Sequence, residues 1–139
     1  MIEESENTEF VCNDQNIVWH RLDFPIDPVP KGRPRKGRFS VYTPKKTRDF
    51  ENDMKGLAKI LWPYAPLEGP LHVQILFIIK RGPSVKRKHP DCRPDADNLF
   101  KSMDSLNNIV WKDDSQIIKL EIEKRYGENG RILLRFSKV

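Results

Sequence analysis

The chain has 139 residues, 32% charged and 37% hydrophobic, with a formal net charge of +5 and an isoelectric point near 9.3. That length suits one domain with a real core, and the basic balance points to a polyanionic partner. No apolar run approaches the roughly 20 residues of a membrane span, the acidic start is not a signal peptide, and the two cysteines, Cys12 and Cys92, make no disulfide framework and suit a reduced, cytoplasmic setting.

Residues 1–15 read as an acidic flexible tail and residues 16–139 as the folded domain. Asn16 to Phe24 alternates around Ile17, Trp19 and Leu22, which predicts a strand, and Pro25, Pro28 and Pro30 break it. Charge is segregated around this point. Residues 1–30 carry seven acids and one arginine, whereas residues 31–48 carry eight bases and no acid. Lys31, Arg33, Arg35, Lys36 and Arg38 are interleaved with two glycines and a proline, so the segment predicts a loop. Its arginines can fork onto phosphate oxygens, with Lys45 and Lys46 following and Phe39 and Tyr42 offering stacking faces. A solvated loop with no partner is the plainer alternative.

A short strand is expected over Phe39 to Tyr42. Thr43 and Pro44 then read as the cap and first position of a helix. Phe50, Met54, Leu57, Ile60 and Leu61 follow at helical spacing as core, and Pro63 ends the helix. Leu71 to Ile79 predicts a strand with Leu71, Val73, Ile75, Phe77 and Ile79 on one face, while Leu76 and Ile78 suggest cover on both faces at its far end. A second basic loop follows, with Arg81, Lys86, Arg87 and Lys88 as further candidates for phosphate contact. Ile117 to Tyr126 alternates with Ile118, Leu120, Ile122 and Lys124 on one face. Glu128-Asn129-Gly130 is a hairpin signal, and Arg131 to Ser137 is its return strand. The order implies an α+β fold: a small mixed β-sheet with helices packed on one face, in a single domain.

The chemistry concentrates between Arg93 and Gln116. Five carboxylates, Asp95, Asp97, Asp104, Asp113 and Asp114, bracket one amphipathic helix expected to run to about Asn107, with Asp97 or Asn98 as its cap. At about 100° per residue, Asp97, Lys101 and Asp104 share one face, and Leu99, Met103 and Leu106 the other. Asn107-Asn108 should end the helix, since asparagine tolerates the left-handed position. Any one of these aspartates is ordinary in a cap or turn. Together they repel one another, and a hard divalent cation such as Mg²⁺ relieves that repulsion through oxygen ligands.

The run Pro94-Asp95-Ala96-Asp97-Asn98-Leu99-Phe100-Lys101, then Asp104-Ser105-Leu106-Asn107 and Trp111-Lys112-Asp113-Asp114-Ser115-Gln116, resembles the signature of RusA-type Holliday-junction resolvases. Lys31-Gly32-Arg33-Pro34-Arg35 and Tyr42-Thr43-Pro44 resemble that family's N-terminal elements, so the likeness covers about residues 16 to 137. It implies a RusA-like fold and a homodimeric, Mg²⁺-dependent endodeoxyribonuclease, with Mn²⁺ as a substitute metal. It further implies paired, symmetric cleavage of four-way DNA junctions, with no membrane and no small-molecule cofactor. By matched position it makes Asp95, Asp97 and Asp114 the essential carboxylates, Asp113 a further metal candidate and Lys101 the essential base. One departure stands out: two residues, Ser102 and Met103, separate Lys101 from Asp104 where the family has three. Two other readings fit the same residues, a metal nuclease acting on other branched DNA and a non-enzymatic basic nucleic-acid-binding protein. The restriction-type Pro-Asp…(Asp/Glu)-x-Lys pattern fits poorly, because no acid-x-Lys triplet follows Asp95.

Overall fold

A computed structural model describes residues 9–12, 17–32, 35–37, 41–42 and 44–139. The first strands are β1 (Glu9–Cys12) and β2 (Val18–Phe24). A small separate ribbon follows, β3 (Arg35–Lys36) with β4 (Val41–Tyr42). Next come α1 (Lys45–Leu61), β5 (Leu71–Lys80) and α2 (Ala96–Lys101), which runs straight into a 3₁₀ turn over Ser102–Leu106. A second 3₁₀ turn (Asp114–Gln116) leads into β6 (Ile117–Gly127), and β7 (Arg131–Lys138) ends the chain. The main sheet has the order β1-β2-β7-β5-β6; β5 and β6 run parallel and the other neighbours antiparallel. This is the mixed α+β layer that the sequence predicts.

One face of the sheet is apolar and carries both helices. Leu22 and Phe24 of β2, Val73, Ile75 and Phe77 of β5, and Ile132, Leu134 and Phe136 of β7 meet Phe50, Met54 and Ala58 of α1. Leu99, Met103 and Leu106 close the same core from the acidic helix, on the side that the helical spacing assigns them. Leu76 and Ile78 make a small second cluster with Leu133 on the far face, so the end of β5 is covered on both sides. Trp111 is fully buried, packs edge-on against Phe136 and donates its indole N–H to Asn107 Oδ1 at 3.0 Å. Asn108 takes the left-handed conformation expected of it, with φ 66°.

Several expectations are corrected. Residues 9–12 of the expected tail pair with β2; residues 1–8 and 13–16 lie outside the described residues. Thr43 also lies outside them, and the N-cap position belongs to Pro44. Ile60 is 74% exposed, not core. It stands two residues, or about 200° of helix, from the buried Ala58. Trp62, by contrast, leaves helical geometry with ψ 76° and packs on His20 and Phe136.

The Glu128–Gly130 turn does not join neighbouring strands. β5 lies between β6 and β7, so the turn carries the chain over the end of β5. The crossing is close: Arg81 N–H donates to Gly127 O at 3.0 Å, and a Cβ on Gly127 would lie 2.5 Å from Ile78 Cγ2. The alternation of β6 is also broken. The register shifts between Leu71↔Ile117 and His72↔Lys119, which makes Ile118 the extra residue. Ile117 and Ile122 therefore both pack on the core, and Ile118 is 64% exposed.

Replacing Trp111 with Ala should destabilise the fold by about 3–5 kcal/mol, the cost of deleting a fully buried large aromatic side chain. Ile60→Ser should change stability by no more than about 0.5 kcal/mol, as for an exposed site. Urea unfolding of both variants checks the burial assignment.

Candidate active site

The connection from β5 to α2 carries the second basic loop to the first aspartates. Arg81 organises it from inside. Its guanidinium donates to the carbonyls of Arg87 at 2.5 Å, Lys88 at 3.2 Å and Val85 at 3.4 Å, and lies 4.4 Å over the Tyr126 ring. Arg81, expected on phosphate, is thus engaged within the protein, and Lys86, Arg87 and Lys88 are left exposed around it. Farther along the loop, the Lys124 ammonium donates to Cys92 O at 2.9 Å and Pro94 O at 3.0 Å.

Asp95 takes the N-cap position of α2 with extended backbone geometry, and Leu99 N–H donates to its carbonyl at 3.0 Å. The expected caps, Asp97 and Asn98, lie inside the helix. The Asp95 carboxylate makes no capping hydrogen bond, so the ordinary reason for an aspartate there does not apply. Asp97 points its carboxylate toward Lys101 across one turn, at 3.8 Å. Both side chains are largely exposed, at 75% and 63%, so the pair contributes only about 0.3–0.5 kcal/mol and leaves both groups available. Asp95, Asp97, Asn98 and Lys101 line an open cleft of about 1010 Å³ with Arg93 and Lys31.

Lys31 closes this cleft from the other side. Its N–H donates to Asn98 O at 3.2 Å, and Gly32 N–H donates to the buried Thr47 Oγ1 at 2.9 Å. A Cβ on Gly32 would lie 2.7 Å from that oxygen, so the close approach needs glycine. The Lys31 ammonium forms an ion pair with Asp104. The hydrogen bond to Asp104 holds the ammonium pKa above its ordinary value, burial opposes this, and the charges of Asp104, Glu51 and Asp114 add to the rise. Two expected roles shift as a result. Lys31 neutralises carboxylates, and Asp104 has a protein partner.

Asp113 and Asp114 sit at the second 3₁₀ turn. Asp113 forms a capping box: its carboxylate accepts from Ser115 N–H at 3.0 Å while Gln116 Oε1 accepts from Asp113 N–H at 2.8 Å. The Ser115 bond holds the Asp113 carboxyl below the usual carboxylate range. Among the described residues, no hydrogen bond or salt bridge engages the carboxylate of Asp95 or Asp114. Asp114 does not line the cleft, although its charge reaches Lys31. No group of three or more His, Cys, Asp or Glu is assembled among the described residues. Mg²⁺ does not need such a cage, since it commonly takes one or two carboxylates and completes its shell with water and substrate phosphate. The chemistry of Asp95 and Asp97 on one cleft fits that demand.

The other basic candidates are dispersed. Lys45 and Lys46 are exposed in the first turn of α1. Arg35 and Lys36 lie in β3, while Arg33 and Arg38 lie outside the described residues. Sequence spacing does not single out Thr47 or Lys124. The only signal for Lys124 is a charged residue at a core-facing position of β6. No helix among the described residues is long and apolar enough to cross a membrane.

Comparison with known proteins places this arrangement. A family model described as Endodeoxyribonuclease RusA matches residues 25–136. A Bacillus subtilis (strain 168) relative, the uncharacterized protein YqaN, is 29% identical over 130 residues, spanning 81% of this chain and 92% of its own. Among solved structures, the periplasmic domain of Helicobacter pylori MotB aligns over 99% of this chain and 78% of that one, at 14% identity and a TM-score of 0.41, too distant to carry an argument. The family match takes in the cleft, the acidic helix, the Asp113–Asp114 turn, β5, β6 and most of β7, and the chain belongs to the RusA endodeoxyribonuclease family.

Proposed function

We propose that this protein is a divalent-metal-dependent endodeoxyribonuclease that resolves four-way DNA junctions by paired, symmetric phosphodiester cleavage as a homodimer. One observation carries the reading: Asp95, Asp97 and Lys101 line one open cleft, and the Asp95 carboxylate is not used as a helix cap. Asp95 and Asp97 would hold Mg²⁺, or Mn²⁺ in its place. The resemblance adds Asp114, and gives Asp113 a lesser part that its capping box already limits. The bound metal supplies an activated water and charge stabilisation at the phosphoryl group. Lys101 holds a positive charge in the same cleft, where it steadies the negative charge that develops on the phosphate oxygens. Arg93, exposed at the edge of the cleft, favours a polyanion in it. A DNA nuclease acts where the DNA is, which supports a cytoplasmic setting.

The non-enzymatic alternative requires the aspartates to act only as caps and turns. Asp113 satisfies it; Asp95 does not. Asparagine keeps the shape of aspartate and removes only the charge, so Asp97→Asn separates a metal-binding carboxylate from one that serves only the exposed ion pair with Lys101. On a four-way junction in Mg²⁺, its cleavage rate should fall by about 100-fold or more if the carboxylate stabilises the transition state through the metal, with junction binding intact. Wild-type turnover by Asp97→Asn would leave Asp97 only its ion pair with Lys101. Asp95→Asn should behave alike, and Asp114→Asn tests the assignment made by resemblance.

Grip on the backbone belongs to the exposed cations. Replacing Lys86, Arg87 and Lys88 together with Ala should lower affinity and flatten the slope of log K against log salt by roughly 0.9 for each phosphate that the loop ceases to neutralise. An unchanged slope would turn this loop away from DNA.

Two symmetric cuts call for two copies related by a two-fold axis. Of the aromatic residues just after α1, Trp62 is buried and Tyr64, 52% exposed, is the one left available to a second copy. Sedimentation at micromolar concentration should give a dimer. A monomer that DNA does not change would overturn the paired-cut reading.

A further inference from the structure

We infer that Lys124 is a positioning residue for this site, holding the segment that presents Asp95; the inference rests on the reading of Asp95 as a metal-binding carboxylate. In the parallel register of β5 and β6, Ile75 pairs with Ile122, Phe77 with Lys124 and Ile79 with Tyr126. Lys124 therefore stands on the sheet face that carries the core, where an apolar residue would serve packing better. A half-buried ammonium there needs acceptors. Its acceptors are two main-chain carbonyls, Cys92 O and Pro94 O, two residues apart and converging on one nitrogen. Among the described residues Lys124 forms no salt bridge with a carboxylate.

The segment has little else to hold it. Among the described residues, no backbone–backbone hydrogen bond involves residues 86–94. Cations from the sheet take that place: Arg81 binds the carbonyls of Arg87 and Lys88, and Lys124 binds those of Cys92 and Pro94. The two clamps differ in what lies downstream. Arg81 shapes the basic loop. Lys124 fixes the carbonyl immediately before Asp95, whose own carbonyl accepts from Leu99 N–H and starts α2. Freeing Pro94 would let the first turn of α2 and the Asp95 carboxylate drift together. Errors of an ångström in such placement are costly.

The test compares Lys124→Met, which keeps an unbranched stem and removes the donors, with Lys124→Arg, which keeps donors. In metal-free, DNA-free protein, amide exchange at Leu99 should quicken about tenfold in Lys124→Met, because its acceptor sits in the released segment, and stay near wild type in Lys124→Arg. On a four-way junction, Lys124→Met should lower kcat about 10–100-fold and raise the half-saturating Mg²⁺ concentration, as changes behind a metal ligand do. Its KM should stay within about twofold, since the cations that grip phosphate are untouched, and Lys124→Arg should recover much of the rate. Unchanged exchange and an unchanged Mg²⁺ midpoint in Lys124→Met would overturn the inference. So would a loss of rate that tracks only a lower urea midpoint. If wild type cleaves no DNA in Mg²⁺, the nuclease reading fails, and the exchange arm alone then decides whether Lys124 holds the segment. Should Lys124→Met not fold, Lys124→Gln takes its place in the same measurements.

Discussion

The parallel pairing of β5 with β6 is the constraint on which the rest depends. Parallel neighbours cannot be joined by a tight turn; the chain must leave one end of the sheet and return to the other. The crossover here is the loop after β5, then α2 and its 3₁₀ extension, then the Asp113–Asp114 turn. Asp95 consequently follows the carboxyl end of β5, while Asp114 precedes the amino end of β6. Their anchors on β6, Lys124 and Ile117, are seven residues apart, about 23 Å at roughly 3.3 Å per residue. Asp95, Asp97 and Lys101 line the cleft and Asp114 does not, although its charge reaches Lys31 at the cleft's edge.

Much of the fold is legible in the sequence because burial repeats at the period of each element. The face of β5, the core side of the acidic helix and the left-handed Asn108 all follow from local pattern. What is not legible is non-local. Glu128-Asn129-Gly130 carries every local sign of a hairpin, yet β5 lies between the two strands it joins. One bulge residue, Ile118, reverses the facing of Ile117 relative to Ile122, and alternation alone cannot show it. The cap of α2 likewise falls at Asp95, one residue beyond the Pro94 carbonyl that Lys124 binds.

Charge is the least legible quantity. Lys31 and Arg81 sit in basic loops and read as phosphate contacts. One neutralises Asp104 and the other binds the carbonyls of its own loop. An arginine's donors suit a row of carbonyls as readily as a phosphate. Only the fold decides which it meets. The cations that meet no such acceptor among the described residues include Lys86, Arg87 and Lys88, which are exposed. Arg81 shapes the loop from which those exposed cations project.

The missing residue between Lys101 and Asp104 falls where the helix changes its winding: the α-helix stops at Lys101 and a 3₁₀ turn begins at Ser102. At about 100° per residue, Leu99, Met103 and Leu106 would share one face of a continuous α-helix too, so burial of these three does not by itself demand a change of winding. In a 3₁₀ turn, residues three apart eclipse one another. Asp104 therefore lies directly beyond Lys101, on the cleft side, where Lys31 meets it. By the same spacing Leu106 lies beyond Met103, and both stay buried. Ser102 and Ser105, also three apart, satisfy their buried hydroxyls on the carbonyls of Leu99 and Ser102, at 2.6 and 3.0 Å. The shortened spacing is thus compatible with the tighter winding. The core register survives, and Asp104 remains on the acidic side as the partner of a lysine.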